Sequence, residues 1–187
     1  GCPDSLSGQS HSDGLVWGRA VWAIRSALTD TKAFDAALYK TMATLDKHAT
    51  FQDAATLLDK LTTAADPGLT ATVQAELNAR GLLSKQCTRI VDLEAGKARR
   101  GYMMGLSPGM SLIPGPLQYR IEVPEDAEEM TVVALRLGGS QQSYLGAYLR
   151  KGSTVAWAGT TGTHDHVLAN NTSQLTLKKG DATLPLE

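Results

Sequence analysis

Leu15-Val16-Trp17-Gly18-Arg19-Ala20-Val21-Trp22-Ala23-Ile24-Arg25-Ser26-Ala27-Leu28 decides the first half of this chain. Trp17, Val21, Ile24 and Leu28 recur at spacings of four, three and four, which draws one stripe down an α-helix. Val16, Ala20, Trp22, Ala23 and Ala27 cover much of the remaining surface, and only Arg19 and Arg25 carry charge. The stretch therefore predicts a helix buried on most sides, capped at its start by Ser12 or Asp13.

Working towards the C-terminus, the same period returns. Phe34, Leu38, Met42 and Leu45 share a face of a second helix, from about Thr31 to Asp46. Thr50 caps a third, in which Phe51, Ala54, Leu58 and Leu61 repeat the pattern. Asp66-Pro67-Gly68 is a turn. A fourth helix, Leu69 to Arg80, turns Val73 and Leu77 inward and stops at Gly81, which suits a left-handed C-cap. Four amphipathic helices with short connections predict a four-helix bundle over residues 1–86.

From Cys87 the period becomes two. Arg89–Leu93, Tyr119–Val123, Met130–Leu137, Tyr144–Leu149, Thr154–Trp157, Val167–Leu168 and Leu175–Leu177 read as strands. Gly- and Pro-rich loops over 105–116, Gly138-Gly139-Ser140 and Lys151-Gly152 separate several of them. Short strands with frequent turn signals predict an antiparallel β-sandwich over residues 87–187. The ending Leu184-Pro185-Leu186-Glu187 reads as the approach to another strand, so the sandwich is expected to lack its last one. The fold class is α+β with segregated domains.

A net charge of −1 and a hydrophobic content of 42% describe a chain that buries a core and offers no basic surface for nucleic acid. No apolar run reaches the roughly 18 residues of a membrane span. Gly1-Cys2-Pro3 in place of an initiator Met reads as a processed or trimmed end. Cys2 and Cys87 are the two cysteines, one before the helical block and one after it. That placement predicts a disulfide, which needs an oxidising compartment, against the alternative of two buried free thiols.

Four histidines are present. His11 precedes the expected helix start, where it can face a cleft and donate to a developing oxyanion, or act as a plain capping or surface residue. His164-Asp165-His166 sets two imidazoles on one face of an extended chain, a possible metal pair, although two ligands close no site and a solvated turn suits them better. His48 reads as surface. Asn170-Asn171-Thr172 fits the N-glycosylation pattern, and Asn171-Thr172-Ser173 fits it also. His-Glu-x-x-His, phosphate-binding glycine loops and Gly-x-Ser-x-Gly are absent from the sequence.

His11-x-x-Gly14 followed by Val16-Trp17-Gly18, then Phe34–Tyr39, Thr50–Ala55 and Ala79–Leu82, runs in the order of a known family. From His11 to about Leu83 the chain resembles the C-terminal helical subdomain of thermolysin-like zinc metallopeptidases, nearest in style to the fungalysin group. That resemblance implies that His11 stabilises the tetrahedral intermediate. The family places an aspartate five positions before this histidine. Leu6 stands there in this chain, and Asp4 is the candidate orienting partner in its place. The zinc ligands and general base belong to helices preceding this segment, so zinc is expected in the complete parent and not in this chain.

Tyr119–Pro124, Met130–Val132 and Leu145–Gly152 resemble the bacterial pre-peptidase C-terminal domain, a β-sandwich attached to secreted peptidases. Gly146-Ala147-Tyr148 replaces the usual acidic Asp-Leu-Tyr, which leaves no support for calcium there. The two resemblances together imply the C-terminal part of a secreted bacterial metallopeptidase, with the N-terminal catalytic half and a peptide substrate as partners. An extracellular binding or adhesion module that keeps a peptidase-like scaffold is the alternative.

Overall fold

Gln9 starts the first helix, because its side-chain oxygen accepts the Ser12 N–H at the helix's open amino end. The expected caps, Ser12 and Asp13, lie inside helix α1, which spans Ser10–Ala27. The computed structural model describes residues 1–46, 49–83, 87–99, 115–134, 147–158, 161–168 and 174–181. His48, the 105–114 loop, Gly138–Ser140, residues 144–146, the Asn170–Thr172 sequon and the 184–187 ending lie outside them.

α2 spans Lys32–Thr44, α3 Phe51–Ala65 and α4 Thr70–Ala79, with a 3-10 turn at Pro67–Leu69 leading into α4. Thr50 caps α3 as expected and forms a full capping box, in which Asp53 accepts back from the Thr50 backbone. Asp66 accepts from Gly68 N–H and holds the Pro67 turn. Gly81 has φ +69°, the left-handed conformation predicted for the end of α4.

Leu6, Val16, Ala20, Ile24, Phe34, Ala37, Ala55, Leu58, Val73, Leu77 and Leu82 make the core of the helical unit. Phe34, Leu58 and Leu77 are sealed from solvent, and burial of such side chains stabilises a fold by about 1.5–3 kcal/mol each. Two expected inward faces differ. Met42 is exposed, and Thr41 takes the inward place on α2, where its hydroxyl donates to the Ala37 carbonyl. α1 is half bare: it buries Asp13, Val16, Ala20 and Ile24, whereas Leu15 and Trp22 are 55% and 70% exposed. Its composition promised burial on most sides, but a helix buries only the arc that its neighbours reach.

Arg25 at the end of α1 donates from Nε to Asp35 at 2.9 Å, and the Thr31 hydroxyl donates to the other carboxylate oxygen at 2.9 Å. The Arg25 hydrogen bond, followed by that from Thr31, holds the Asp35 carboxyl below its ordinary 3.8. A lowered carboxyl stabilises the fold above its unfolded value, and that contribution is lost as pH falls through the lowered one. The exposed position keeps the effect small.

The segment before α1 is tied to the end of α4. Cys2 N–H donates to the Arg80 carbonyl at 2.7 Å, and Gly81 packs so closely that an added Cβ would lie 2.6 Å from the Cys2 carbonyl oxygen. Cys2 is bonded to Cys87, with their Cα atoms 4.8 Å apart and a separation of 85 in sequence. The predicted disulfide is therefore present, and the described cysteines leave no free thiol. The Arg89 guanidinium adds a hydrogen bond to the Leu6 carbonyl.

Two compact units divide the chain, one built on Gly1–Ile90 and Gly115–Leu117, the other on Val91–Arg100 and Gln118–Glu187. β1 (Arg89–Leu93) and β2 (Leu117–Ile121) form a two-stranded sheet. β3 (Glu129–Val133) pairs antiparallel with β8 (Gln174–Lys178), β4 (Ala147–Leu149) with β7 (His166–Leu168), and β5 (Ala156–Ala158) with β6 (Thr161–Thr163). The β6 strand, Thr161-Gly162-Thr163, was not legible as a strand, because a central glycine between two threonines carries no apolar alternation. The protein is thus a mixed α/β chain, with four α-helices and small antiparallel sheets among the described residues.

Specific polar contacts hold these short ribbons. Thr131 and Thr176 pair across β3 and β8 with hydroxyl oxygens 3.0 Å apart. The Gln118 amide bonds the backbone of Val155 from both sides, donating to its carbonyl at 2.7 Å and accepting its N–H at 3.0 Å. Leu177 is the buried hydrophobic side chain of this unit among the described residues.

Candidate functional site

His11 is the second residue of α1 and is exposed. Its position follows from the local sequence: Gln9 ends the preceding loop and the helix begins at Ser10. The side chain thus stands in the first turn, where unpaired backbone N–H groups and the helix dipole favour negative charge. Asp4, the expected orienting partner, is exposed in the turn after Cys2. Among the described residues no hydrogen bond or ion pair joins Asp4 to His11.

A different acid organises this region. Asp13 is 3% exposed, and its carboxylate accepts from Ser7 N–H at 2.7 Å, Ser7 Oγ at 3.0 Å and Gly8 N–H at 2.9 Å. Three donors on one carboxylate fix the 7–8 loop against the first turn of α1, and thereby fix where the helix begins. Sequence reading placed Asp13 at a cap and missed this reach back to Ser7. The only available signal was a carboxylate in the first turn of a helix following a Ser-Gly pair. Asp13→Ala leaves the Ser7 and buried Gly8 N–H groups without their acceptor, and is expected to cost about 3 kcal/mol in urea unfolding. Asp13→Asn keeps one acceptor oxygen and should cost less.

Beside the first turns of α1 lies a cleft of about 580 Å³, lined among others by Ser5, Ser12, Leu15, Arg19, Glu76 and Arg80. Arg80 is paired with Glu76 one turn earlier on α4, whereas Arg19 has no hydrogen-bond or ion-pair partner among the described residues. His11 is not among the residues that line this cleft.

The His164-Asp165-His166 segment belongs to the β unit. Asp165 accepts from Lys151 N–H at 2.6 Å, and its own N–H donates to the Leu149 carbonyl. His166 is paired with Leu149 in the β4–β7 ladder. The His164 ring lies 4.8 Å from that of Tyr148, tilted by 52°, and partial burial raises the Tyr148 phenol above its ordinary pKa. These residues serve the β4–β7 strand pair. Among the described residues no group of three or more His, Cys, Asp or Glu side chains is arranged to hold a metal ion. No helix of the described chain is long and apolar enough to cross a membrane.

No protein-family model, curated protein or solved structure matches this chain.

Proposed function

We propose that this chain is the C-terminal portion of a secreted bacterial zinc metallopeptidase. In this reading the four helices form one bundle, the strand pairs belong to an accessory β-sandwich, and the preceding half of the protein holds zinc and the general base. The observation that carries it is the exposed His11 in the first turn of α1, within the ordered series of motifs from His11-x-x-Gly14 to Gly81. A side chain so placed is free to donate a hydrogen bond to an oxyanion formed at a neighbouring centre. The Asp13 carboxylate acts as a positioning group, since it holds the loop from which α1 and His11 start. The Cys2–Cys87 bond suits an extracellular setting.

The test compares the complete protein with the 187-residue chain in zinc-binding and peptide-cleavage assays. The complete protein is expected to bind zinc and cleave peptides, and the isolated chain to do neither. Stoichiometric zinc with turnover by the chain alone would overturn the division of labour. A complete protein that binds a target without cleaving it would instead identify an extracellular binding module.

A further inference from the structure

The buried polar side chains of the helical unit are treated unequally. Asp13 accepts from Ser7 and Gly8, and Thr41 donates to the carbonyl of Ala37. Thr62 on α3 is fully buried, yet its Oγ1 has no hydrogen-bond partner among the described residues. A threonine hydroxyl inside a helix ordinarily donates to the carbonyl four positions back, as Thr41 and Thr44 both do. For Thr62 that carbonyl belongs to Leu58, and the bond is not made. A buried donor without an acceptor is costly, because it has given up its bonds to solvent.

A second unpaired atom lies one turn earlier on the same helix. Asp59 Oδ2 accepts from the Gln74 side chain of α4 at 3.1 Å, whereas Asp59 Oδ1 is sealed from solvent and has no partner among the described residues. Residues three apart share a helix face, with Cβ atoms about 5–6 Å apart. Two hydrogen bonds meeting at one oxygen span that kind of gap. The needs of the two groups are complementary: the hydroxyl lacks an acceptor and the carboxylate oxygen lacks a donor. Water supplies both at once. A cation would satisfy Oδ1 but leave the Thr62 hydroxyl proton without an acceptor. Nearby, the Thr63 and Thr70 hydroxyl oxygens lie 3.0 Å apart, so polar contacts from neighbouring turns of α3 already reach α4.

We propose that the helical unit binds one structural water, which accepts from the Thr62 hydroxyl and donates to Asp59 Oδ1. It completes a polar seam in which Asp59–Gln74 and Thr63–Thr70 set α3 against α4. The inference gives no role to His11 and does not depend on the peptidase reading.

The test is the sign of Thr62→Val in the 187-residue chain, since valine keeps the shape of threonine and removes only the hydroxyl. With the water in place, the substitution takes away one of its anchors and leaves Asp59 Oδ1 buried without a donor. The unfolding equilibrium constant, read from urea melts, is then expected to rise about ten-fold. Without the water, Thr62→Val merely deletes an unpaired hydroxyl, and the constant stays the same or falls; that result overturns the proposal. In an Asp59→Ala background the Thr62→Val effect should shrink to about two-fold or less, because the bridge has lost its other end. An effect that persists undiminished there overturns the bridge. A crystal structure of the chain gives a readout that does not depend on any variant folding. It should show one ordered oxygen within about 3.2 Å of both Thr62 Oγ1 and Asp59 Oδ1. Direct bonding of Thr62 to the Leu58 carbonyl, or a peak about 2.4 Å from several oxygens as a cation would give, overturns the assignment.

Discussion

Replacing His11 by Ala in the complete protein should lower kcat by about 100-fold or more and leave KM nearly unchanged. The proposed role sets that split. A donor that meets only the developing oxyanion stabilises the transition state and not the bound substrate, so its removal appears in kcat and in kcat/KM equally. Removal of one such donor typically costs about 100- to 1,000-fold. The first turn of α1 contributes little to the core at this position, since the side chain is exposed and unbonded among the described residues. The variant should therefore melt with the parent, which separates a lost donor from a lost fold. His11→Gln keeps an N–H donor at a similar reach and is expected to recover part of the turnover. Turnover unchanged in His11→Ala would make the residue a surface histidine in a first turn and remove the main support for the peptidase reading.

Reduction of the Cys2–Cys87 bond, or Cys2→Ser with Cys87→Ser, should produce the largest loss of stability available in the helical unit. The bond closes a loop of 85 positions, and loop-closure entropy for that length corresponds to about 4–5 kcal/mol. In a unit of this size such a loss lowers the melting temperature by about 20 °C. The bond also holds other contacts in place. The Cys2 N–H to Arg80 carbonyl bond, the close approach of Gly81 to Cys2 and the burial of Leu6 all depend on the same short segment staying on the end of α4. Thermal melts with and without reductant measure the effect. A shift of only a few degrees would show that those contacts hold the segment without the covalent link.

Helix existence was legible because apolar residues recurred at the helical period in each of four stretches, and because Thr50, Asp66 and Gly81 are residues with strong local geometric preferences. Boundaries were less so. Gln9 took the cap that Ser12 and Asp13 were expected to fill, since Asp13 gains three hydrogen bonds by turning back to Ser7 and Gly8. The β2 strand begins at Leu117, two residues before the alternation of Tyr119 to Val123, and β6 carries no alternation at all. At the candidate site, His11 stood out by its place before an apolar helix. Asp13 did not, because no local spacing marks a carboxylate that bonds backbone five and six positions behind it.

The sequence by itself determined the change from helical to strand period near Cys87, the Thr50 cap of α3 and the left-handed stop at Gly81. Each depends on a few neighbouring residues, so local stereochemistry is enough. Only the tertiary structure decided which face of each element is covered. Leu15 and Trp22 are as apolar as Val16 and Ile24, yet the first pair meets solvent and the second the core. Burial depends on where the other helices lie, and a helix with apolar residues around most of its circumference does not encode which arc they will choose.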